Sequence, residues 1–329
     1  MKNYNKKNYE FQEKIYDEDS KHLEKPTQLK KSRKSFVENM EDKGIKMERL
    51  EKCGNFLLFQ TNADKNKFLL SGGNFCNNRF CPTCAWLKAK KTAFKLLELL
   101  KVVEHCEDKR FLFVTLTVPN CKGEDLDYTI KFINASFQRL SQRKVIKKMN
   151  SGFIRKLEVT YNEERNDFHP HLHLIFSINK SYFQDTKIYI THAKLLELWQ
   201  ESTRNKNITQ VDIRPCRMNS IKEILEIATY ATKFKDLLSC KEIFNYFYLG
   251  LKGKQIIVYS GIFKKYKKLL ELNEIELDEI EELAKLREET LYEILYLWNS
   301  ESEIYDAVKL NEIEENSRKF IYDLELSID

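Results

Sequence analysis

The chain has 329 residues, 42% of them hydrophobic, with 56 Lys/Arg against 50 Asp/Glu. That is enough for one large or two modest domains with real cores. No apolar run approaches the roughly 18 residues of a membrane span, and the first residues, MKNYNKKNYEFQEK, lack the apolar core of a signal peptide, so a cytoplasmic protein is expected. The net charge of +6 is uneven: residues 271–329 hold 5 basic and 19 acidic side chains, leaving 51 basic and 31 acidic in 1–270. A body that basic suits a polyanionic partner, or is simply a Lys-rich surface.

Residues 1–50 are polar, with few apolar positions and no period, and read as a mostly disordered or loosely helical basic arm. The run Lys30-Lys31-Ser32-Arg33-Lys34 reads as a solvated charge run that could touch phosphates. Next, Cys76, Cys81 and Cys84 place three thiols within a short loop, and Cys53 precedes Gly54. In a reducing compartment such spacing argues for a metal rather than a disulfide. Thiolates at Cys53, Cys76, Cys81 and Cys84 would complete a tetrahedral structural Zn²⁺ site, with strands at 55–60 and 67–71 supporting it. The same C-x4-C-x2-C spacing also matches a plant-type iron–sulfur loop. Arg79, Phe80 and Pro82 make that loop bulky, and Cys53 lies on the wrong side for the fourth ligand, so zinc is the favoured reading.

Residues 85–104 have helical spacing, and 111–118 form a strand with bulk on both faces, stopped by Pro119-Asn120. An amphipathic helix at 125–140 and a basic connection at 141–148 lead to a strand at 154–162. A polar turn at 163–168 then enters His169-Pro170-His171-Leu172-His173, and the two strands should pair as a hairpin. Alternation on a strand puts His169, His171 and His173 on one face and Leu172, Leu174 and Phe176 on the other. Pro170 belongs at a strand start or edge, since it cannot donate to a ladder. Two imidazoles at adjacent same-face positions can clamp one divalent metal. Glu158, on the preceding strand, could reach that ion; Glu163, Asp167 and His169 are rivals, and a cross-strand ion pair is the plain alternative for Glu158.

A short helix at 193–201 and a strand at 209–214 follow, then a helix at 221–238, on which Glu226 and Tyr230 are four apart and share a face with Lys233 nearby. After a strand at 255–260 and a basic cluster of Lys264, Lys265, Lys267 and Lys268, the chain from 271 on is acidic and helical by period. The expected divisions are therefore 1–50, a cysteine-rich segment with its helix at 51–105, a central domain at 106–270, and an acidic helical tail at 271–329. Hairpin-style pairing in the central region predicts an α+β domain on an antiparallel sheet.

HPHLH followed by apolar residues resembles the His-hydrophobic-His signature of the HUH endonucleases, and more closely the rolling-circle plasmid replication initiators of Gram-positive bacteria. CNNRFCPTCAW, FVTLTVPN, LEVTYN and EIATYATKFKD resemble further segments of that family, more weakly from Cys53 to Lys268 and not into the acidic tail. The resemblance implies an HUH-type sheet flanked by helices and a catalytic Mg²⁺ or Mn²⁺ on His171 and His173, with Glu158 as third ligand. It implies that Tyr230 attacks one strand of the plasmid origin, holding the 5′ end as a phosphotyrosine and leaving a 3′-OH primer. Glu226 would be the base that activates water at termination, and Lys233 would contact DNA. Origin DNA, single-stranded at the nick, would be the substrate, with host helicase and DNA polymerase as partners and a homodimer as one state. The same motifs serve conjugative relaxases and single-tyrosine transposases. Outside enzymes, the residues also suit a zinc-ribbon DNA-binding regulator.

Overall fold

The computed structural model describes residues 21–61, 68–216, 221–228, 231–272 and 292–308. In chain order the elements are α1 Lys21–Lys31, α2 Arg33–Met40, α3 Met47–Lys52, β1 Phe56–Thr61, β2 Phe68–Gly73, α4 Pro82–Glu107 and β3 Lys109–Thr117. Then come α5 Leu126–Ser141, α6 Lys144–Met149, β4 Asn150–Asn162, β5 Asp167–Asn179, α7 His192–Thr203, β6 Val211–Cys216 and α8 Ile221–Ala228. The last are α9 Phe234–Leu237, α10 Lys241–Leu251, β7 Ile257–Tyr259, α11 Ile262–Glu271, β8 Tyr292–Asn299 and β9 Ile304–Val308. The chain divides into two units, Met1–Cys84 with Ile280–Asp329, and Ala85–Glu279. Both are mixtures of helix and antiparallel sheet, so the α+β class holds. Among the described residues, no helix is long and apolar enough to cross a membrane.

The second unit is built on a five-stranded antiparallel sheet in the order β6-β3-β5-β4-β7. β5 lies at its centre, buried from Pro170 to Ile178. Its even-numbered face packs towards α5, where Phe137 meets Phe153 edge-on and Phe153 meets Phe176. The odd-numbered face carries the histidines. Lys156 stands opposite His173 and Glu158 opposite His171 in the β4–β5 register. Pro170 lies inside this strand rather than at its start or edge. The expectation fails because no ladder bond is needed there: β3 pairs only as far as His171, and the Val159 N–H opposite Pro170 donates away from β5, to the Ala231 carbonyl. Thr117 likewise faces His171, and Thr115 faces His173, across β3.

In the first unit the sheet order is β2-β1-β8-β9. The helical C-terminal appendage expected from sequence is corrected here, because residues 292–299 and 304–308 are a β-hairpin. Ile294, Tyr296 and Trp298 alternate along β8, and packing them against Leu57 and Phe59 of β1 outweighs the helical period read over the acidic tail. The remainder of that tail lies outside the described residues. The arm of 1–50, expected to be mostly disordered or loosely helical, is also corrected over 21–50, most of which lies in packed helices. His22 stacks on Phe68 at 3.7 Å between ring centroids, and its Nε2 lies 3.1 Å from the Tyr296 hydroxyl. Phe36 and Met40 are fully buried. Residues 141–148, read as a connection, include most of the short helix α6, which buries Ile146 and Met149.

The single helix expected over 221–238 is broken. α8 ends at Ala228, residues 231–233 are not helical, and α9 begins at Phe234. The reason is tertiary. Ala231 is fully buried and its carbonyl accepts the Val159 N–H of β4, extending the hydrogen bonding of that strand.

Candidate metal centres

Two groups of metal-ligating side chains converge among the described residues: Cys53, Cys76, Cys81 and Cys84, all buried, and Glu158, His171 and His173; in each, the donor atoms lie within 4.8 Å of one another. The cysteine sulfurs are 3.7 Å apart for Cys53–Cys81, 3.6 Å for Cys53–Cys84 and 3.5 Å for Cys76–Cys84. A tetrahedral ion with metal–sulfur bonds of about 2.3 Å sets sulfurs roughly 3.8 Å apart. The four thiols therefore fit one ion. A two-iron cluster would instead need two thiol pairs held further apart.

The turn that aims Cys53 depends on Gly54, whose φ of +68° is the left-handed region glycine favours. The Tyr305 hydroxyl of β9 donates to the Gly54 carbonyl at 2.6 Å, so the C-terminal hairpin supports the cysteine loop directly. Asn74 spans the same turn, accepting the Phe56 N–H and donating to the Lys52 carbonyl. Lys30 and Arg33 belong to this site too. Lys30 Nζ and Arg33 Nη1 both donate to the Cys53 carbonyl, at 2.7 and 2.6 Å, and Lys30 also donates to Asn55. Lys30 is 3% exposed, so the charge run read as solvated is partly inside. Burial pulls the Lys30 ammonium down to about 7, against the neighbouring thiols, which raise it. Four thiolates and a divalent ion carry a net charge of two minus, which these two cations would balance.

In the second unit, β4 and β5 aim the other triad at one point. The Glu158 Oε2 is 3.3 Å from His173 Nε2 and 4.0 Å from His171 Nε2. Both imidazoles are held through the opposite nitrogen. His171 Nδ1–H donates to the His169 carbonyl at 3.1 Å, which leaves Nε2 as the free donor atom. His173 Nδ1 lies 3.2 Å from the Thr115 hydroxyl. A hydroxyl can donate to a bare Nδ1 or accept from Nδ1–H, so Thr115 serves His173 in either tautomer. Burial pushes His171 down to about 4, against the attraction of Glu158. Burial also works to raise Glu158, but the hydrogen bond from His173 and the charge of Lys156 outweigh it and hold the carboxyl at about 2. A neutral imidazole and an ionised carboxylate are the forms that bind a cation.

Of the rival ligands, Asp167 pairs with Arg165 and accepts from Asn120, and His169 lends its carbonyl to His171 and stacks its ring on that imidazole. Neither they nor Glu163 join the converging triad. Glu226, near the end of α8, places its carboxylate 3.9 Å from His173 Nδ1 and 3.7 Å from Arg214 Nη2. Lys233 is exposed before α9. Tyr230 lies outside the described residues; its neighbour Ala231 is bonded to Val159, next to Glu158. Sequence reading missed Thr115, Lys156 and Arg214. Thr115 lies on the strand expected over 111–118, where alternation alone gives it no partner. The signal for Lys156 was a charged residue two positions from Glu158, on the same face of the strand.

The chain is thus an α+β protein with two candidate metal centres, a His-His-carboxylate triad on an antiparallel sheet and a closed four-sulfur group. A family described as "Replication protein" matches residues 67–306, so the chain belongs to this replication protein family. A "Protein rep" of Staphylococcus aureus is 42% identical over 58% of this chain and 84% of its own length. A "Protein rep" of Streptococcus pneumoniae serotype 2 is 32% identical over 79% of this chain and 83% of its own, and one of Bacillus amyloliquefaciens is 29% identical over 78% and 83%. No solved structure matches the chain significantly.

Proposed function

We propose that this replication protein initiates rolling-circle replication of a plasmid as an HUH-type, metal-dependent nickase. The observation that carries the reading is the convergence of His171 Nε2, His173 Nε2 and Glu158 Oε2, beside the α8 end that bears Glu226. Two imidazoles and one carboxylate fit Mn²⁺ or Mg²⁺, with imidazole favouring Mn²⁺. Such an ion, when bound, supplies Lewis-acid polarisation of the scissile phosphate. Tyr230 is the nucleophile. Its phenolic oxygen bonds to phosphorus as its proton leaves, the bond from phosphorus to the 3′ oxygen breaks, and that oxygen departs as a 3′-OH primer. The phosphotyrosine keeps the energy of the broken diester for rejoining. Glu226 takes a proton from water when the returning fork is to be released by hydrolysis. Lys233, exposed two residues past Ala231, meets the DNA backbone. The four cysteines hold one structural Zn²⁺. Origin DNA in the cytoplasm, host helicase and host polymerase complete the system.

The test is incubation with supercoiled plasmid bearing the cognate origin and Mn²⁺. The expected product is a nicked circle with protein linked to its 5′ end, absent for Tyr230→Phe. Origin binding with no covalent product from the wild-type chain would favour a zinc-ribbon regulator instead.

A further inference from the structure

Lys156 has no place in the motifs, yet it is the most enclosed charge beside the triad, with 0% exposure. Its Nζ lies 2.8 Å from Glu158 Oε2 and donates to the Glu226 carbonyl at 2.6 Å. Lysine is almost never fully buried without a partner, and these two contacts make it the link between two parts of the site. Glu158 is on the strand that carries the ligand. The Glu226 carbonyl lies in the last turn of α8, so the Lys156 ammonium holds that end of the helix to β4.

Charge gives the arrangement a second consequence. Two neutral imidazoles, one carboxylate and one ammonium sum to zero. A divalent ion added to that set leaves its full two positive charges facing a phosphate. Without the ammonium, Glu158 would cancel one of them.

We infer that Lys156 is a positioning residue of the metal site, which cancels the charge of Glu158, fixes its carboxylate and tethers the Glu226 end of α8 to it. The inference rests on the reading of Glu158, His171 and His173 as a metal site. It implies an unusual pair of effects. An ammonium beside the ion repels it, so removing the charge tightens metal binding while weakening the pull on phosphate.

The test uses the full chain with Lys156→Met, Lys156→Gln and Lys156→Arg at one pH near 8. Binding of Mn²⁺ alone is measured by calorimetry, and the gain in Tm on adding Mn²⁺ by thermal melting. Lys156→Met and Lys156→Gln should bind Mn²⁺ about tenfold more tightly, as loss of one nearby like charge implies. Their Tm gain should exceed that of wild type, and nicking at saturating Mn²⁺ should fall at least about tenfold. Lys156→Arg should keep wild-type affinity and most of the nicking. Unchanged or weaker Mn²⁺ binding in a folded Lys156→Met or Lys156→Gln chain overturns the inference. So does failure of both to fold while Lys156→Arg folds, since Lys156 is then a structural cation only. A wild-type chain that binds no Mn²⁺ at this site instead sinks the metal-site reading itself.

Discussion

Burial keeps His171 neutral down to about pH 4, whereas an unfolded histidine takes a proton near 6.5. Between those values the unfolded chain binds the extra proton, so the native state loses stability as pH falls through that window and keeps it above about 6.5. The loss is about 3 kcal/mol across the window. Urea unfolding at pH 7, 5.5 and 4 should show a weaker acid dependence for His171→Gln than for wild type; equal slopes would remove His171 as the cause. Thr115 offers a second single-residue test. Thr115→Val keeps the shape and takes away the hydroxyl beside His173 Nδ1. Affinity for Mn²⁺ should drop by roughly tenfold, as expected for loss of a partner that orients a ligand. Unaltered affinity would mean that β5 alone aims the ring. His171 and His173 were legible because alternation on a strand is a strict period. Thr115 and Lys156 were not, because Thr115 meets His173 only through the β3–β5 register and Lys156 meets the Glu226 carbonyl only where the fold brings the end of α8 to β4.

Helix α8 and the segment after it separate two steps of the proposed reaction. Tyr230→Phe should bind origin DNA and form no covalent adduct. Glu226→Ala should still nick, within about tenfold of wild type. It should then run past the origin and give plasmid longer than unit length. Loss of the initial nick in Glu226→Ala as complete as in Tyr230→Phe would instead make Glu226 a helper of the tyrosine. The pairing of Glu226 with Arg214 bears on this result, because it gives the carboxylate a cationic neighbour that the sequence did not suggest. Helices α1 and α2 make a different prediction. Lys30 and Arg33 meet the cysteine group at the Cys53 carbonyl, and their burial depends on negative charge there. Cys81→Ser should lose one equivalent of bound zinc by elemental analysis, and amide exchange over 21–43 should quicken by at least about tenfold. Zinc-free wild-type protein, or unchanged exchange in the variant, would break that link.

Over the whole chain, the charge imbalance between 1–270 and 271–329 predicts salt-sensitive binding to DNA. If about six phosphates are neutralised, affinity for duplex origin DNA should fall by roughly a thousandfold between about 50 and 200 mM salt. A fall of less than about tenfold would leave the basic body without an electrostatic role in binding.

Local pattern alone determined a good deal of this protein. Cysteine spacing marked the four-sulfur site, strand alternation marked the His171–His173 pair, and the hairpin before it put Glu158 within reach. The cysteine triplet and the histidine pair are short-range signals, on residues a few positions apart whose geometry the backbone period dictates, and Cys53 and Glu158 each join them across one hairpin. Tertiary structure decided what depends on distant partners. β8 is a strand because β1 offers it an edge, and β9 because β8 does. The 21–43 helices are ordered because Phe68, Tyr296 and the cysteine group cover them. α8 stops at Ala228 where β4 claims the Ala231 carbonyl and Lys156 the Glu226 carbonyl. None of these partners is near in sequence, so periodicity could not reveal them; hydrogen bonds and burial between distant segments overrode the local preference for helix or disorder.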